Sequence, residues 1–219
     1  SRFTSYYANA GYTFARKYTL NASWRNDQSN LFGINKSAQR RPVWSVGLKW
    51  TLTQEPWMEK MKPTVNLLAL RATYGITGNS PAPGFASSKD VLAATADPNA
   101  PGGSSLSIST LANPNLTWER TKNYNLGLDF GFLNNRINGS LEFYRKETSD
   151  LLGRLGINPL TGTTFINGNV GSLRNTGIEL LLNTRNIERK NFLWSTMLTM
   201  SYNKNKVTDF GYLAAPITT

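Results

Sequence analysis

The chain has 219 residues, with 24 Lys and Arg against 13 Asp and Glu and a formal net charge of +11. It contains neither His nor Cys, which excludes disulfides, haem His ligation, His/Cys metal sites and nucleophiles that work through a His base. Charged residues are 17% and apolar residues 39%, both low for a soluble domain, and the balance is uncharged polar, including 24 Asn.

Period two, the strand period, runs along the chain. Tyr6, Ala8, Ala10, Tyr12 and Phe14 alternate with polar or small residues, then Tyr18, Leu20, Ala22 and Trp24 do the same. The next sets are Trp44, Val46, Leu48, Trp50 and Leu52, and then Leu68, Leu70, Ala72, Tyr74 and Ile76. Tyr124, Leu126, Leu128, Phe130 and Phe132 follow, then Ile137, Leu141 and Phe143. Ile178, Leu180 and Leu182 precede the last set, Phe192, Trp194, Leu198 and Met200. This predicts eight strands, each well beyond the globular norm of about 5–6 residues.

The connections alternate in length. Short ones are predicted at Ala15–Lys17, Asn134–Asn135 and Asn186–Asn191, with a medium one at Thr53–Pro63 that has room for a turn of helix over Glu55–Met61. Long polar loops fall at Gln28–Arg41, Gly78–Asn115 and Asp150–Asn175. Outer-membrane barrels connect their strands in this way, with short periplasmic turns and long extracellular loops. No run approaches 18 consecutive apolar residues, so a transmembrane helix is excluded.

Charge placement tests the same reading. Arg25, Lys49, Arg71, Asp129, Glu142 and Glu179 all occupy the polar phase, where a barrel lumen meets water. Arg120, Lys122 and Arg145 break the phase, but next to the long loops, where long stems can reach headgroups. The aromatics form two bands on the apolar phase. Tyr12, Phe14, Tyr18, Trp50, Phe130, Phe132, Phe192 and Trp194 lie beside the short turns; Trp24, Trp44, Tyr74, Tyr124 and Tyr202 lie toward the long loops. Two aromatic girdles around an aliphatic band match the two interfaces of a bilayer. A soluble sandwich has shorter strands and does not sort its rings to strand ends.

One hairpin can be placed in register. A type I′ turn at Asn134-Asn135 pairs Phe132 with Ile137, Leu128 with Leu141 and Leu126 with Phe143, and sets Phe130 against Gly139. Glu142 then lies opposite Gly127 and Asp129 opposite Ser140. The two carboxylates become diagonal neighbours, expected to pair with Lys49, Arg71 or Arg136 rather than to act as an acid–base couple.

The chain therefore reads as all-β, an antiparallel transmembrane β-barrel segment of about eight long strands. Its motifs also resemble a known family. The run Ala112-Asn113-Pro114-Asn115-Leu116-Thr117-Trp118-Glu119-Arg120-Thr121, with Tyr124 to Gly131, resembles SusC-like TonB-dependent outer-membrane transporters. So do Asn135 to Ser140, Tyr144-Arg145-Lys146, Asp150-Leu151-Leu152 and Asn169 to Glu179. Upstream, Tyr18 to Ser23, Phe32-Gly33 and Leu70 to Asn79 are similar too.

The resemblance implies that residues 1–219 are part of one TonB-dependent receptor β-barrel domain, located in the outer membrane. It implies active import of glycans or oligopeptides, with energy from the TonB complex and a SusD-like surface lipoprotein as partner. Such transporters have 22 strands, so about a third of the wall is here and a plug domain and TonB box are expected elsewhere in a longer polypeptide. Ala214 to Thr219 does not read as a barrel-closing strand.

No enzymatic activity, cofactor, metal or nucleic-acid partner is expected. Neither GxxxxGK nor GxGxxG is present, and the scattered cations fit no nucleic-acid-binding pattern. Catalytic, cofactor and metal residues are none, and the ligand-binding residues are unknown. Asn158-Pro159 and Gly162 read as a loop turn, and Phe85 and Phe165 as loop aromatics that pack or stack on a ligand. The rival reading is a passive porin-like or structural barrel without energy coupling. Arg at Leu70 or Leu128 is expected to block assembly, while Arg at Thr73 or Gly127 is tolerated.

Overall fold

A computed structural model describes residues 3–29, 40–80, 89–96, 98–99, 101–161 and 163–210. Phe32, Gly33, Phe85, Gly162 and Ala214–Thr219, singled out above, lie outside the described residues.

The long strands are β1 (Phe3–Phe14), β2 (Tyr18–Ser29), β3 (Arg40–Thr51), β4 (Val65–Asn79), β7 (Glu119–Phe132), β8 (Ile137–Ser149), β11 (Ser172–Arg189) and β12 (Phe192–Asp209). They form one eight-stranded antiparallel meander in the order β1-β2-β3-β4-β7-β8-β11-β12. All eight predicted strands are there. The turn pairings predicted for β7 and β8 hold, from Phe132 with Ile137 to Leu126 with Phe143. Asn134 and Asn135 take φ of 57° and 58°, and the Arg136 amide donates to Leu133 O at 3.2 Å, closing the tight turn.

Both boundaries of β11 differ from the sequence reading. β11 begins at Ser172 and runs to Arg189, so its turn to β12 is only Lys190-Asn191. A shift in pairing between Arg185 and Ile187 bulges β11 at Asn186, which broke the alternation there. The two longest loops are also not plain coil. One carries a hairpin of β5 (Val91–Ala96) and β6 (Ser104–Thr110), the other a hairpin of β9 (Leu152–Gly156) and β10 (Phe165–Asn169). The medium connection does hold helical turns, of the tight 3-10 kind, at Leu52–Gln54 and Pro56–Met61.

The sheet has no central core. Among the described residues the buried apolar ones fall into two sets toward opposite ends: Leu52, Met58, Val65 and Ala69 by the 3-10 turns, and Ile76, Leu116 and Trp118 toward the hairpin-bearing loops. Leu48 and Leu126, in mid-strand, are each 59% exposed. A row of aliphatic side chains open along a whole face is what a wall wetted by lipid requires.

Candidate functional site

Register carries one apolar row across seven strands: Tyr18, Trp50, Leu70, Leu128, Leu141, Leu180 and Met200. The next residue on each strand points the other way. On that polar face hydroxyls pair across strands, Thr13 with Thr19 at 3.0 Å, Ser23 with Ser45 at 2.7 Å and Thr121 with Thr148 at 2.9 Å.

The charges of this face converge on Arg71. Its Nε donates to Asp129 Oδ2 at 3.0 Å, and its Nη2 to Asp129 Oδ1 at 2.9 Å and Glu142 Oε1 at 2.7 Å. Lys49 Nζ lies 3.6 Å from Asp129 Oδ2, and Asn125 Nδ2 donates to Glu142 Oε2 at 3.1 Å. Gly127 makes room: a Cβ there would sit 3.0 Å from the Arg71 guanidinium carbon. Two cations and two carboxylates balance one another in this cluster.

Of the three expected partners, Lys49 and Arg71 are in place and Arg136 is not. Arg136 sits in the β7–β8 turn and donates to the backbone oxygens of Arg185 and Asn186, at 3.3 and 2.9 Å, at the β11 bulge. Glu179 lies opposite Glu142 in register and is exposed.

The second constellation ties the two hairpin-bearing loops together. Asn169 Nδ2 donates to Thr117 O at 2.8 Å, and Asn169 Oδ1 accepts from Thr117 N at 2.8 Å. One side-chain amide thus imitates a strand partner. Asn113 Nδ2 reaches Asn167 O at 3.1 Å, and Gly168 is required there because a Cβ would meet Asn113 Nδ2 at 2.5 Å. Glu119 grips both loop bases, accepting from Asn79 Nδ2 at 3.0 Å and from Leu152 N at 2.9 Å. Leu116 and Trp118 are buried beside this knot. Phe165 is half-exposed, with the Arg154 guanidinium 4.4 Å above its ring. Asn158 Oδ1 accepts from Leu160 N at 3.0 Å in the predicted turn.

The third lies at the opposite end. Glu55, 8% exposed, accepts from Tyr18 Oη at 2.6 Å, Lys17 Nζ at 3.0 Å and Trp50 Nε1 at 3.0 Å. The hydrogen bond from Tyr18, then those from Lys17 and Trp50, hold its carboxyl at about 2, far below the usual 4.5. The Tyr18 and Trp50 rings stack 6.2 Å apart, so one carboxylate fixes the polar tips of one aromatic girdle. At the other girdle, Trp44 meets Tyr74 at 5.4 Å and Tyr74 meets Tyr124 at 4.8 Å. Between the girdles a groove of about 680 Å³ is lined by Leu20, Leu48, Leu70, Leu126 and neighbouring rings. Most of its lining is apolar, which suits acyl chains, although Tyr18 and Trp50 of the Glu55 site and Lys49, Arg71 and Gly127 of the Arg71 cluster also border it.

The sheet, its girdles and its two unlike faces fit a known profile. Residues 1–217 match the family described as TonB dependent receptor-like, beta-barrel. The chain belongs to the TonB-dependent receptor β-barrel family. TonB-dependent receptor P26 of Formosa agariphila is 33% identical over 96% of this chain, and SusC of Bacteroides thetaiotaomicron is 33% identical over 93%. The chain spans about a fifth of the length of these relatives, 21% and 20%. Among solved structures, the RagAB peptide importer in its open-open state superposes with a TM-score of 0.84 at 28% identity, over 99% of this chain and 23% of that one. The siderophore receptor PirA of Pseudomonas aeruginosa shares the fold alone, with a TM-score of 0.59 at 16% identity over 94% of this chain and 35% of that one.

TonB-dependent receptors are outer-membrane β-barrels, so the sheet is an arc of barrel wall. Its apolar face meets lipid, its polar face the lumen, and its hairpin-bearing loops the cell exterior. No helix among the described residues is long and apolar enough to cross a membrane; strands make the crossing. The segment Ala112 to Thr121, which resembles SusC-like transporters, also supplies the buried Asn113, Leu116 and Trp118 of the knot. The knot partners Asn167 and Asn169 lie some fifty positions further on, and no local pattern signals that pairing.

Proposed function

We propose that residues 1–219 are part of one TonB-dependent receptor β-barrel domain, with a plug and further strands contributed by the rest of the protein. The whole protein, on this reading, imports glycans or oligopeptides through the outer membrane. Energy comes from the TonB complex, and a SusD-like surface lipoprotein works with the barrel. The observation that carries this reading is the likeness to the RagAB peptide importer across 99% of the chain. The 33% identity to SusC supports it. The polar face agrees in kind: a charge-balanced wall rich in Asn, Ser and Thr offers hydrogen bonds to peptide groups or sugar hydroxyls without a strong net field.

The test uses the full-length gene in its own host. Uptake of labelled oligopeptide and oligosaccharide pools is compared in cells with and without TonB. Uptake that requires TonB is expected. Equal uptake in both strains defeats the importer reading in favour of a passive barrel. Tagged full-length protein is expected to co-purify with a SusD-like lipoprotein, and isolation of the barrel alone would remove that partner.

A further inference from the structure

The charges that leave the polar phase gather at one place on the outer surface. In register, Tyr124 of β7 stands beside Arg145 of β8, followed by Thr176 of β11 and Lys204 of β12. One rank nearer the loops come Lys122, Glu147, Arg174 and Lys206, and Arg120 stands one rank beyond Lys122. The rank below Tyr124 is Leu126, Phe143, Ile178 and Tyr202, which faces lipid. Alternation places all the charged residues just named on that same face.

Six cations therefore share this rim with one carboxylate. They account for five of the eleven net positive charges of the chain. Glu147 is already engaged, its Oε1 accepting from Arg145 Nε at 3.0 Å and from Arg174 Nε at 3.1 Å. Arg120, Lys122, Lys204 and Lys206 make no ion pair among the described residues. Arg174 and Lys206 stand directly opposite each other as like charges, and among the described residues of this rim only Glu147 offsets the six cations. A groove of about 400 Å³ opens at the same spot. Leu126 and Phe143 line its apolar part, and Tyr124, Arg145 and Glu147 its polar part.

An occupant must be anionic at the top, apolar below, and present in the membrane around the barrel. The long loops mark this end as extracellular, so the leaflet concerned is the external one. We propose that the patch binds a phosphate-bearing, acylated lipid of that leaflet. Its phosphates lie on Lys122, Arg145, Arg174 and Lys206, and one acyl chain lies in the Leu126–Phe143 groove. Guanidinium groups suit phosphate because two N–H donors match two oxygens. Tyr124 and Tyr202 lie at headgroup depth, where tyrosine collects. The proposal concerns the outside of the wall and does not depend on what passes through the lumen.

The test uses full-length protein purified in detergent. Binding of a diphosphorylated acyl-glucosamine disaccharide is measured against its dephosphorylated form and against inorganic phosphate. The comparison includes wild type, the double variant Lys122→Gln/Arg174→Gln, and Lys146→Gln, whose side chain takes the opposite phase and lies over Tyr144 at 5.3 Å. The double variant is expected to bind about thirtyfold more weakly, the order set by two interfacial cations. Lys146→Gln should match wild type, and the dephosphorylated lipid should bind wild type more weakly than the phosphorylated one. Equal binding of the two lipids by wild type overturns the proposal whether or not the variant folds. So does inorganic phosphate binding as tightly as the lipid. Undiminished lipid binding by a folded double variant also overturns it.

Discussion

Asn169 holds Thr117 by both of its backbone polar groups, giving a hydrogen bond to the carbonyl and taking one from the amide, each at 2.8 Å. A third bond from the same Nδ2 reaches Asp150 O at 2.7 Å. Asn169→Ala removes all three and leaves half-buried groups without partners, at about 1–3 kcal/mol for each group left unsatisfied. Hydrogen exchange should therefore speed up in residues 112–118 and 150–170 together. Asn169→Asp keeps the acceptor and loses the donors, and should fall between. Exchange that changes in only one of the two loops would show that the knot does not join them.

Gly127 is a poor place to test the phase of the wall, because it lies under the Arg71 guanidinium. A Cβ at this position makes the guanidinium give by a few tenths of an ångström, which loosens its bonds to Asp129 and Glu142. Gly127→Ala is expected to cost about 1–3 kcal/mol, the scale of overpacking. Arg71→Met should cost more, because it leaves two carboxylates facing each other beside Lys49 alone. Both are read from the temperature at which the full-length barrel loses its fast migration in a detergent gel. An unchanged temperature in both variants would show that the cluster contributes nothing to the wall.

Thr73 is the cleaner partner for a phase test. It is exposed on the lumen face in register with Gly47 and Asn125, so an Arg there meets water. Leu70→Arg and Leu128→Arg place the charge on the lipid face, at about 2–4 kcal/mol near the midplane. Outer-membrane yields of the full-length protein should fall for the two Leu variants and hold for Thr73→Arg. Equal yields would show that the phase assignment is wrong.

Glu55 gives the turn over residues 52–64 a pH response. Its carboxyl sits at about 2 in the folded chain, below its ordinary 4.5. A depressed value means that its contribution is complete above about 4.5 and is lost as pH falls through about 2. Hydrogen exchange in residues 52–64 should quicken across that window while β7 and β8 stay protected. Glu55→Gln should show the quicker exchange at neutral pH and no further change on acidification. A wild-type response centred near 4.5 would mean that Tyr18, Lys17 and Trp50 do not hold the carboxylate.

Much of this wall was legible in the sequence because lipid and water impose opposite demands on alternate residues. Leu68, Leu70, Ala72, Tyr74 and Ile76 announce β4 without any knowledge of its neighbours. Asn134-Asn135 even fixed the β7–β8 register, since a turn with two positive φ angles leaves few choices. The short hairpins were not legible. Leu106 and Ile108 do alternate with Ser, but β5–β6 and β9–β10 lie in long polar segments, and long-range side-chain bonds hold the bases of those segments. The bulge at Asn186 hid the end of β11, where the strand passes beyond the apolar band and polarity no longer marks a face. The same limit hid the rim. Arg120, Lys122 and Arg145 were visible as breaks in phase, but Arg174, Lys204 and Lys206 lie past the ends of the readable alternation. Choosing Arg71 over Arg136 as the hub needed cross-strand geometry.

Glu119 joins the last residue of β4 to the first of β9 while itself opening β7. Mechanically this is a weld at the root of both loops. A loop pinned at its base cannot swing from the point where its strand ends; it can bend only further out, in the hairpins themselves. Any opening and closing on the outer side of this wall must therefore pivot beyond the weld, or carry both loops round together as one rigid flap.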